Sequence, residues 1–196
     1  MSTTIIYTNL DNAQISVRQL EDLGDYKKIY LADNIEKKVE IYENHILNEI
    51  QYIKAEDENI NDIFSELGTN SVTIKSIEAF NDYSIKTIHY YIDGMERSMQ
   101  KQLLMDNKII CNHEFGSSGN IDVTFSAKYM YDPNGFEISE EIFSFYYYTD
   151  GTLNYISGKG YPFSDHNQFL EASEIQNYFP NLFIDNPYYL NSVFLP

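Results

Sequence analysis

The feature that most constrains the fold of this chain is a series of short segments in which apolar and polar residues alternate, separated by Asn, Asp and Gly. Residues 38–42 and 47–53 alternate in this way on either side of the turn-forming sequence Glu43-Asn44-His45. Alternation with a period of two places the apolar side chains on one face of a strand, and Asn and Asp favour tight turns between antiparallel strands. The sequence therefore predicts an extended antiparallel β-meander. The predicted strands are residues 4–7, 13–20, 29–31, 38–42, 47–53, 71–80, 84–92, 99–105, 108–115, 121–131, 138–148 and 152–157.

Two segments change to the periodicity of a helix. Residues 57–67 place apolar side chains at helical spacing and end at Gly68, and residues 167–179 do the same and end before Pro180. Gly and Pro at these positions are typical helix ends. We therefore expect an α+β fold that is dominated by β structure, in which one or two helices cover the meander.

Composition indicates a folded domain. The chain has 196 residues, of which 43% are hydrophobic and 15% aromatic, enough to form a real core. We expect a single domain over residues 1–196, in which Gly116-Ser117-Ser118-Gly119 is a flexible loop and not a boundary. The single cysteine excludes an internal disulfide framework, and neither a secretory signal nor a membrane-spanning apolar run is visible. These features together predict a cytoplasmic location.

The charge of the chain restricts its partners. Thirty acidic residues face 13 basic ones, which gives a formal net charge of −17 at pH 7. Such a surface repels nucleic acid and anionic lipid and attracts basic proteins. We therefore expect a basic protein as the partner, and neither nucleic acid nor a membrane.

One tract brings a thiol, an imidazole and a carboxylate together, at Cys111-Asn112-His113-Glu114. On a strand, Cys111 and His113 would share a face. A structural zinc site needs a second pair of ligands, which the sequence lacks, and catalytic Cys/His pairs are assembled by the fold and not by adjacency. We therefore interpret the tract as an ordinary buried Cys beside a surface His. No phosphate-binding loop, nucleophile elbow or metalloprotease motif occurs, so we assign no catalytic residue, metal or cofactor and expect a protein that is not an enzyme.

The sequence Phe143-Ser144-Phe145-Tyr146-Tyr147-Tyr148 is the most unusual local tract. Alternation would bury Phe143, Phe145 and Tyr147 and expose Tyr146 and Tyr148. Exposed Tyr is a favoured interface residue because it is rigid, buries a large area and can form hydrogen bonds. On an acidic background, such tyrosines suit a cationic protein partner.

A loose repeat runs through the predicted meander. Each unit has an aromatic pair or Ile-Tyr, then Asn or Asp-Gly, and often a returning Ile or Leu. The four units are Ile29-Tyr30 with Asn34 and Ile35, Ile41-Tyr42 with Asn44 and Ile46, Tyr90-Tyr91 with Asp93-Gly94, and Tyr147-Tyr148 with Asp150-Gly151 and Leu153. The pattern resembles the aromatic-Gly hairpin repeats of bacterial MORN-variant and related β-meander proteins. Several of those proteins neutralise toxins as immunity proteins, and the resemblance implies the same role here.

These observations lead to one functional expectation and two alternatives. We expect an acidic, non-enzymatic immunity protein that neutralises a basic toxin domain, for which a nuclease is the natural candidate. A small-molecule or peptide-binding β-sheet module remains open, as does an enzyme that uses acidic residues the sequence does not single out. The residues expected to contact the partner are Tyr90, Tyr91, Asp93, Glu140, Tyr146, Tyr148 and Asp150.

Overall fold

The structure is a computed structural model that describes residues 3–67, 71–131, 141–158, 162–163 and 169–196. Strands dominate these residues, and the fold class expected from the sequence is confirmed. The strands are β1 (Thr3–Thr8), β2 (Gln14–Ile15), β3 (Tyr26–Ala32), β4 (Ile35–Glu43), β5 (Ile46–Ile53), β6 (Ser71–Phe80), β7 (Tyr83–Ile92), β8 (Met95–Met105), β9 (Lys108–Gly116), β10 (Ile121–Tyr131), β11 (Glu141–Tyr147), β12 (Leu153–Gly158) and β13 (Phe169–Glu171). The helices are α1 (Leu20–Leu23), α2 (Ile60–Leu67), α3 (Ala172–Tyr178) and α4 (Leu182–Asp185), with 3-10 turns at Val17–Gln19 and Pro187–Leu190.

The chain divides into two compact units. The first comprises Met1–Ile77 and Thr87–Met99, and the second comprises Glu78–Lys86 and Gln100–Pro196. Strands β6, β7 and β8 contribute residues to both. The expected single domain over 1–196 stays a prediction.

Turn chemistry explains why the hairpins form where the sequence places them. Asp33-Asn34, Asn44-His45 and Asp106-Asn107 each have two successive residues at positive φ, between 49° and 67°. Two-residue hairpin turns of this geometry match the twist of the strands, and Asn and Asp adopt it at low cost. Gly116-Ser117-Ser118-Gly119 lies at the turn between β9 and β10, where the Gly119 amide donates to the Gly116 carbonyl at 2.8 Å.

The first unit contains one strand pair that departs from the meander. Strands β5 and β6 are parallel, with Ile50 opposite Val72 and Ile53 opposite Lys75. Parallel neighbours need a crossover connection, and residues 54–70, which include α2, provide it. Ile63 of α2 is buried against the sheet in a cluster with Val72, Ile74 and Tyr91. The helix expected at 57–67 is thus the crossover between parallel strands.

The second unit has its core beneath strands β11 to β13. A buried cluster there includes Phe145, Ile156, Leu170 and Ile175 of α3, and Leu182, Phe183 and Tyr189 pack against it. A neighbouring cluster of Leu103, Ile110 and Cys111 is packed by Tyr188, Phe194 and Leu195. Residues 182–196 (the C-terminal segment) are therefore docked on these two clusters.

Two expected elements differ in the structure. Within residues 13–20 only Gln14–Ile15 is a strand, because the Gln19 side chain accepts a hydrogen bond from the Ser16 amide (2.9 Å) and the chain turns into a 3-10 helix. Residues 169–171 are strand β13 and not helix, because they pair with β12, with Leu170 opposite Ile156. No helix in the described part of the chain is long and apolar enough to cross a membrane.

Candidate functional site

The structure describes six of the seven residues expected at the interface, and they belong to different units. Tyr90, Tyr91 and Asp93 belong to the first unit, and Tyr146, Tyr148 and Asp150 to the second. Glu140 lies outside the described residues. The seven residues are therefore not shown to form one surface, and each unit is considered by itself.

In the first unit, Tyr91 is a core residue. Its side chain is 9% exposed and its ring lies edge-on against Phe64 of α2, with 4.5 Å between ring centroids. Its hydroxyl donates to Glu96 Oε2 at 3.3 Å, and burial together with the Glu96 charge raises the pKa of Tyr91 to about 12. Tyr91 is therefore part of the core of this unit, and its contact with a partner stays a prediction. Tyr90 is half-buried, and Asp93 is exposed in the turn between β7 and β8.

The same unit holds a buried carboxylate whose bonds are satisfied internally. Glu40 accepts hydrogen bonds from Lys38 Nζ (2.8 Å) and from the hydroxyls of Tyr30 (3.0 Å) and Tyr42 (3.1 Å). Burial opposes the charge of Glu40, but these hydrogen bonds lower its pKa. A carboxylate held ionised by three donors stabilises the sheet and has little capacity left for a ligand.

In the second unit, three aromatic side chains form a row across β11, β12 and β13. Tyr146 lies directly opposite Tyr155, and their rings stack with centroids 4.6 Å apart. The Tyr155 ring is followed by Phe169 at 5.7 Å, and Phe169 is 51% exposed. We call Tyr146, Tyr155 and Phe169 the aromatic ladder. Tyr148, at the end of the same hairpin, is 53% exposed.

Strand alternation places the ladder on the face of β11 opposite the buried core side chains. Phe143, Phe145 and Tyr147 are buried, as expected, and point to the other side of β11. On that side Phe145 stacks on Tyr189 of the C-terminal segment, with 4.6 Å between centroids. The C-terminal segment therefore covers the face opposite the ladder.

Exposed acidic side chains lie on β13 and in the turn after β11. Glu171 is exposed and directly opposite Tyr155 in the register of β12 and β13. Asp150, in the turn after β11, accepts hydrogen bonds from the Thr152 hydroxyl (2.6 Å) and amide (2.9 Å). These bonds lower the pKa of Asp150, so its carboxylate is charged at neutral pH. The ladder thus presents aromatic area with the exposed carboxylate of Glu171 opposite Tyr155.

A shallow groove lies on the same face of the sheet. Ser144, two residues before Tyr146, pairs with Tyr129, so these side chains share a face. Tyr129 lines a groove of about 350 Å³, whose other lining residues are Gln100, Gln102, Ile109, Asn112 and Tyr131. The ladder and the groove together form the candidate binding face of the second unit.

The tract Cys111-Asn112-His113-Glu114 lies on β9, and Cys111 and His113 are on the same face as Lys128 of β10. Cys111 and Lys128 are fully buried and directly opposite each other, and His113 is only 4% exposed. The interpretation of His113 as a surface residue is therefore wrong, because Phe194 of the C-terminal segment packs on its ring at 5.3 Å.

Lys128 connects this cluster to the C-terminal segment. Its ammonium group donates to the Tyr188 carbonyl at 2.5 Å and lies 3.5 Å from the centroid of the Tyr188 ring. Burial lowers the pKa of Lys128 to about 8 and raises that of Cys111 to about 11. A protonated thiol that solvent does not reach is a poor nucleophile, so the cluster is suited to holding the C-terminal segment and not to catalysis.

Sequence reasoning found only part of the binding face. It identified Tyr146 and Tyr148 from alternation, but it did not identify Tyr155, Phe169 or Glu171, because their positions depend on pairing between β12 and β13 across residues far apart in sequence. The groove was missed for the same reason. Among the described residues, no group of three or more His, Cys, Asp or Glu side chains could hold a metal ion.

Comparison of the chain with protein-family models, with curated proteins and with solved structures finds no match in any of the three.

Proposed function

We propose that this chain is a cytoplasmic bacterial inhibitor of the immunity type, a non-enzymatic protein that neutralises a basic toxin domain such as a nuclease. The observation that supports the proposal is the aromatic ladder, in which the stacked pair Tyr146–Tyr155 continues to the exposed ring of Phe169 and Glu171 lies directly opposite Tyr155. The inhibitory function would result from binding of this face to a cationic surface of the toxin domain.

Charge would act first. A net charge of −17 attracts a basic domain over distances longer than any contact and repels competing nucleic acid. A nuclease must carry a positive substrate-binding surface, so an acidic protein that docks there blocks the substrate. Electrostatic steering mainly raises the association rate and weakens with salt.

The ladder would then supply the short-range contacts. Tyr146 and Tyr155 hold each other in a stacked arrangement before any partner arrives. Side chains ordered in advance lose less conformational entropy on binding, and tyrosines are common hot spots of protein interfaces. We therefore place Tyr155, in the middle of the ladder, at the centre of the interface.

The test needs a candidate partner, which we would seek as a basic toxin domain encoded by a neighbouring gene. Calorimetric titration should give saturable binding that weakens strongly between 50 and 500 mM NaCl, and the chain should inhibit the activity of that domain. Tyr155→Ala should weaken binding about thirtyfold, the loss typical of a hot-spot residue. The matched control is Tyr178→Ala, which removes an exposed tyrosine from α3 and should leave affinity unchanged.

Three results would contradict the proposal. They are an absence of binding, binding that does not respond to salt, and binding without inhibition. If Tyr155→Ala and Tyr178→Ala reduced the binding affinity equally, the ladder would not be part of the interface.

A further inference from the structure

The groove beside the ladder has an ordered set of amide hydrogen bonds. Gln102 Nε2 donates to Gln100 Oε1 at 3.0 Å, and Gln100 Nε2 donates to Glu114 Oε2 at 3.2 Å. Both amide nitrogens therefore point along the chain of bonds towards the Glu114 carboxylate. The oxygen of Gln102 takes no part in these two bonds and is an acceptor.

Asn112 adds a second acceptor to the groove. Its Nδ2 donates to the Phe125 carbonyl at 3.0 Å, which fixes the orientation of the amide. Its Oδ1 is buried and has no hydrogen-bond partner among the described residues. A buried acceptor without a partner is uncommon in folded proteins and leaves a free-energy cost that an incoming donor would relieve. Asn112 lines the groove, so a donor that entered and shifted the neighbouring side chains would meet this oxygen.

We infer that this groove receives the guanidinium group of an arginine side chain from the basic partner. The inference rests on the proposed function, because it names the part of the partner that enters this face. A guanidinium carries five N–H donors and no acceptor, which complements the oxygens of Gln102 and Asn112. It also stacks on aromatic rings, and Tyr129 lines the same groove.

The charges around the groove favour a cationic group. Glu114 lies at the end of the amide chain, and the surrounding protein is strongly acidic, so an anion is disfavoured. Lys108 Nζ lies 5.3 Å from the centroid of the Tyr131 ring, so that ring already faces a cation. The incoming group is therefore expected to lie away from Lys108.

A small probe tests the groove without the partner. We would titrate the protein with N-acetyl-argininamide and follow tyrosine and amide signals by nuclear magnetic resonance. Saturable shifts are expected at residues of the groove. N-acetyl-citrullinamide has nearly the same shape but a neutral urea group, and it should bind at least about tenfold more weakly because the charge-assisted bonds are lost. N-acetyl-lysinamide, which lacks the planar fork, should also bind more weakly.

Substitutions of Gln102 give the decisive comparison. Gln102→Ala should weaken binding of N-acetyl-argininamide about tenfold, and Gln102→Glu should tighten it by a similar factor, because a carboxylate would face the guanidinium. The matched control is Gln176→Glu, which makes the same charge change at an exposed position of α3. Unchanged near-ultraviolet circular dichroism would show that each variant is folded.

The inference is overturned if the arginine and citrulline probes bind equally, if the lysine probe binds as tightly, or if Gln102→Glu gives no more than the Gln176→Glu control. The proposed function fails separately. If the arginine probe binds with the expected Gln102 dependence but the basic toxin domain does not bind, the guanidinium site stands and the inhibitor role falls.

Discussion

His113 is uncharged in the folded protein. Burial, together with the positive charge of Lys128, lowers the pKa of its imidazole to about 4, against an ordinary value of 6.5. Between these two values the unfolded chain binds more protons at this position than the folded one, so stability falls as the pH decreases from about 6.5 towards 4. Going from pH 7 to pH 5 should cost about 2 kcal/mol of unfolding free energy through His113 alone.

Urea unfolding at pH 7 and pH 5 measures this effect. His113→Met, which keeps an apolar side chain of similar length, should remove most of the pH dependence in this interval. The control is His45→Asn, because His45 is exposed in a turn at φ 63°, a conformation that Asn tolerates. If His113→Met unfolds with the same pH dependence as the unchanged protein, the imidazole is not the group responsible.

At the scale of single residues, the sequence predicts the burial of some side chains correctly and that of others incorrectly. Phe143, Phe145 and Tyr147 are buried as expected, because alternation within one strand is a local property. The burial of His113 and Lys128 depends on the C-terminal segment, whose residues lie far away in the sequence. No local pattern contains that information.

At the scale of elements, the turn between β11 and β12 fits closely against the C-terminal segment. Gly151 has a φ of +85°, and its carbonyl accepts a hydrogen bond from the Ser192 amide at 3.0 Å. A Cβ atom at this position would lie 2.7 Å from Ser192 Oγ. Gly151→Ala should therefore destabilise the protein by about 2 kcal/mol, through the positive φ and through the displacement of the Ser192 hydroxyl together.

Two further variants separate these causes in thermal or urea unfolding. Gly119→Ala shares the positive φ, at +75°, but its Cβ would meet no atom within 4 Å, so it should cost only about 1 kcal/mol. The double variant Gly151→Ala/Ser192→Ala should have the same loss of unfolding free energy as Gly119→Ala, because Ser192 Oγ is then absent. Equal costs for Gly151→Ala and Gly119→Ala would show that Ser192 does not restrict the turn.

The elements that the sequence predicts best are those with local causes. The hairpins are anticipated because two-residue turns such as Asp106-Asn107 determine their own geometry. Strand β13 and the parallel pairing of β5 with β6 are not anticipated, because each depends on a partner strand that local propensity does not specify. Phe169 suits a helix and a strand equally well, and its pairing with β12 makes it part of a strand.

At the scale of the whole molecule, the net charge of −17 opposes compaction, since like charges repel more strongly in the folded chain. Salt shortens the range of this repulsion, from about 10 Å at 0.1 M to about 3 Å at 1 M. Buried pairs such as Lys38 with Glu40, at 2.8 Å, are screened less than exposed charges. Raising NaCl from 0.05 to 0.5 M should therefore increase the melting temperature by about 2–4 °C, which corresponds to roughly 1 kcal/mol in a chain of this size.

Thermal unfolding followed by circular dichroism measures this shift, and KCl should reproduce it because the effect is ionic screening and not specific ion binding. A melting temperature that stays constant or falls with added salt would show that the ion pairs outweigh the repulsion.

The parallel pair in the first unit also has a consequence for folding kinetics. Hairpin neighbours such as β3 and β4 meet after closing a loop of very few residues, so they form quickly and early. Strands β5 and β6 come together only when residues 54–70 are folded back and α2 is placed over the sheet. This pairing joins residues that are farther apart in sequence than those of the hairpins, so we expect formation of the crossover to limit the rate at which the first unit folds.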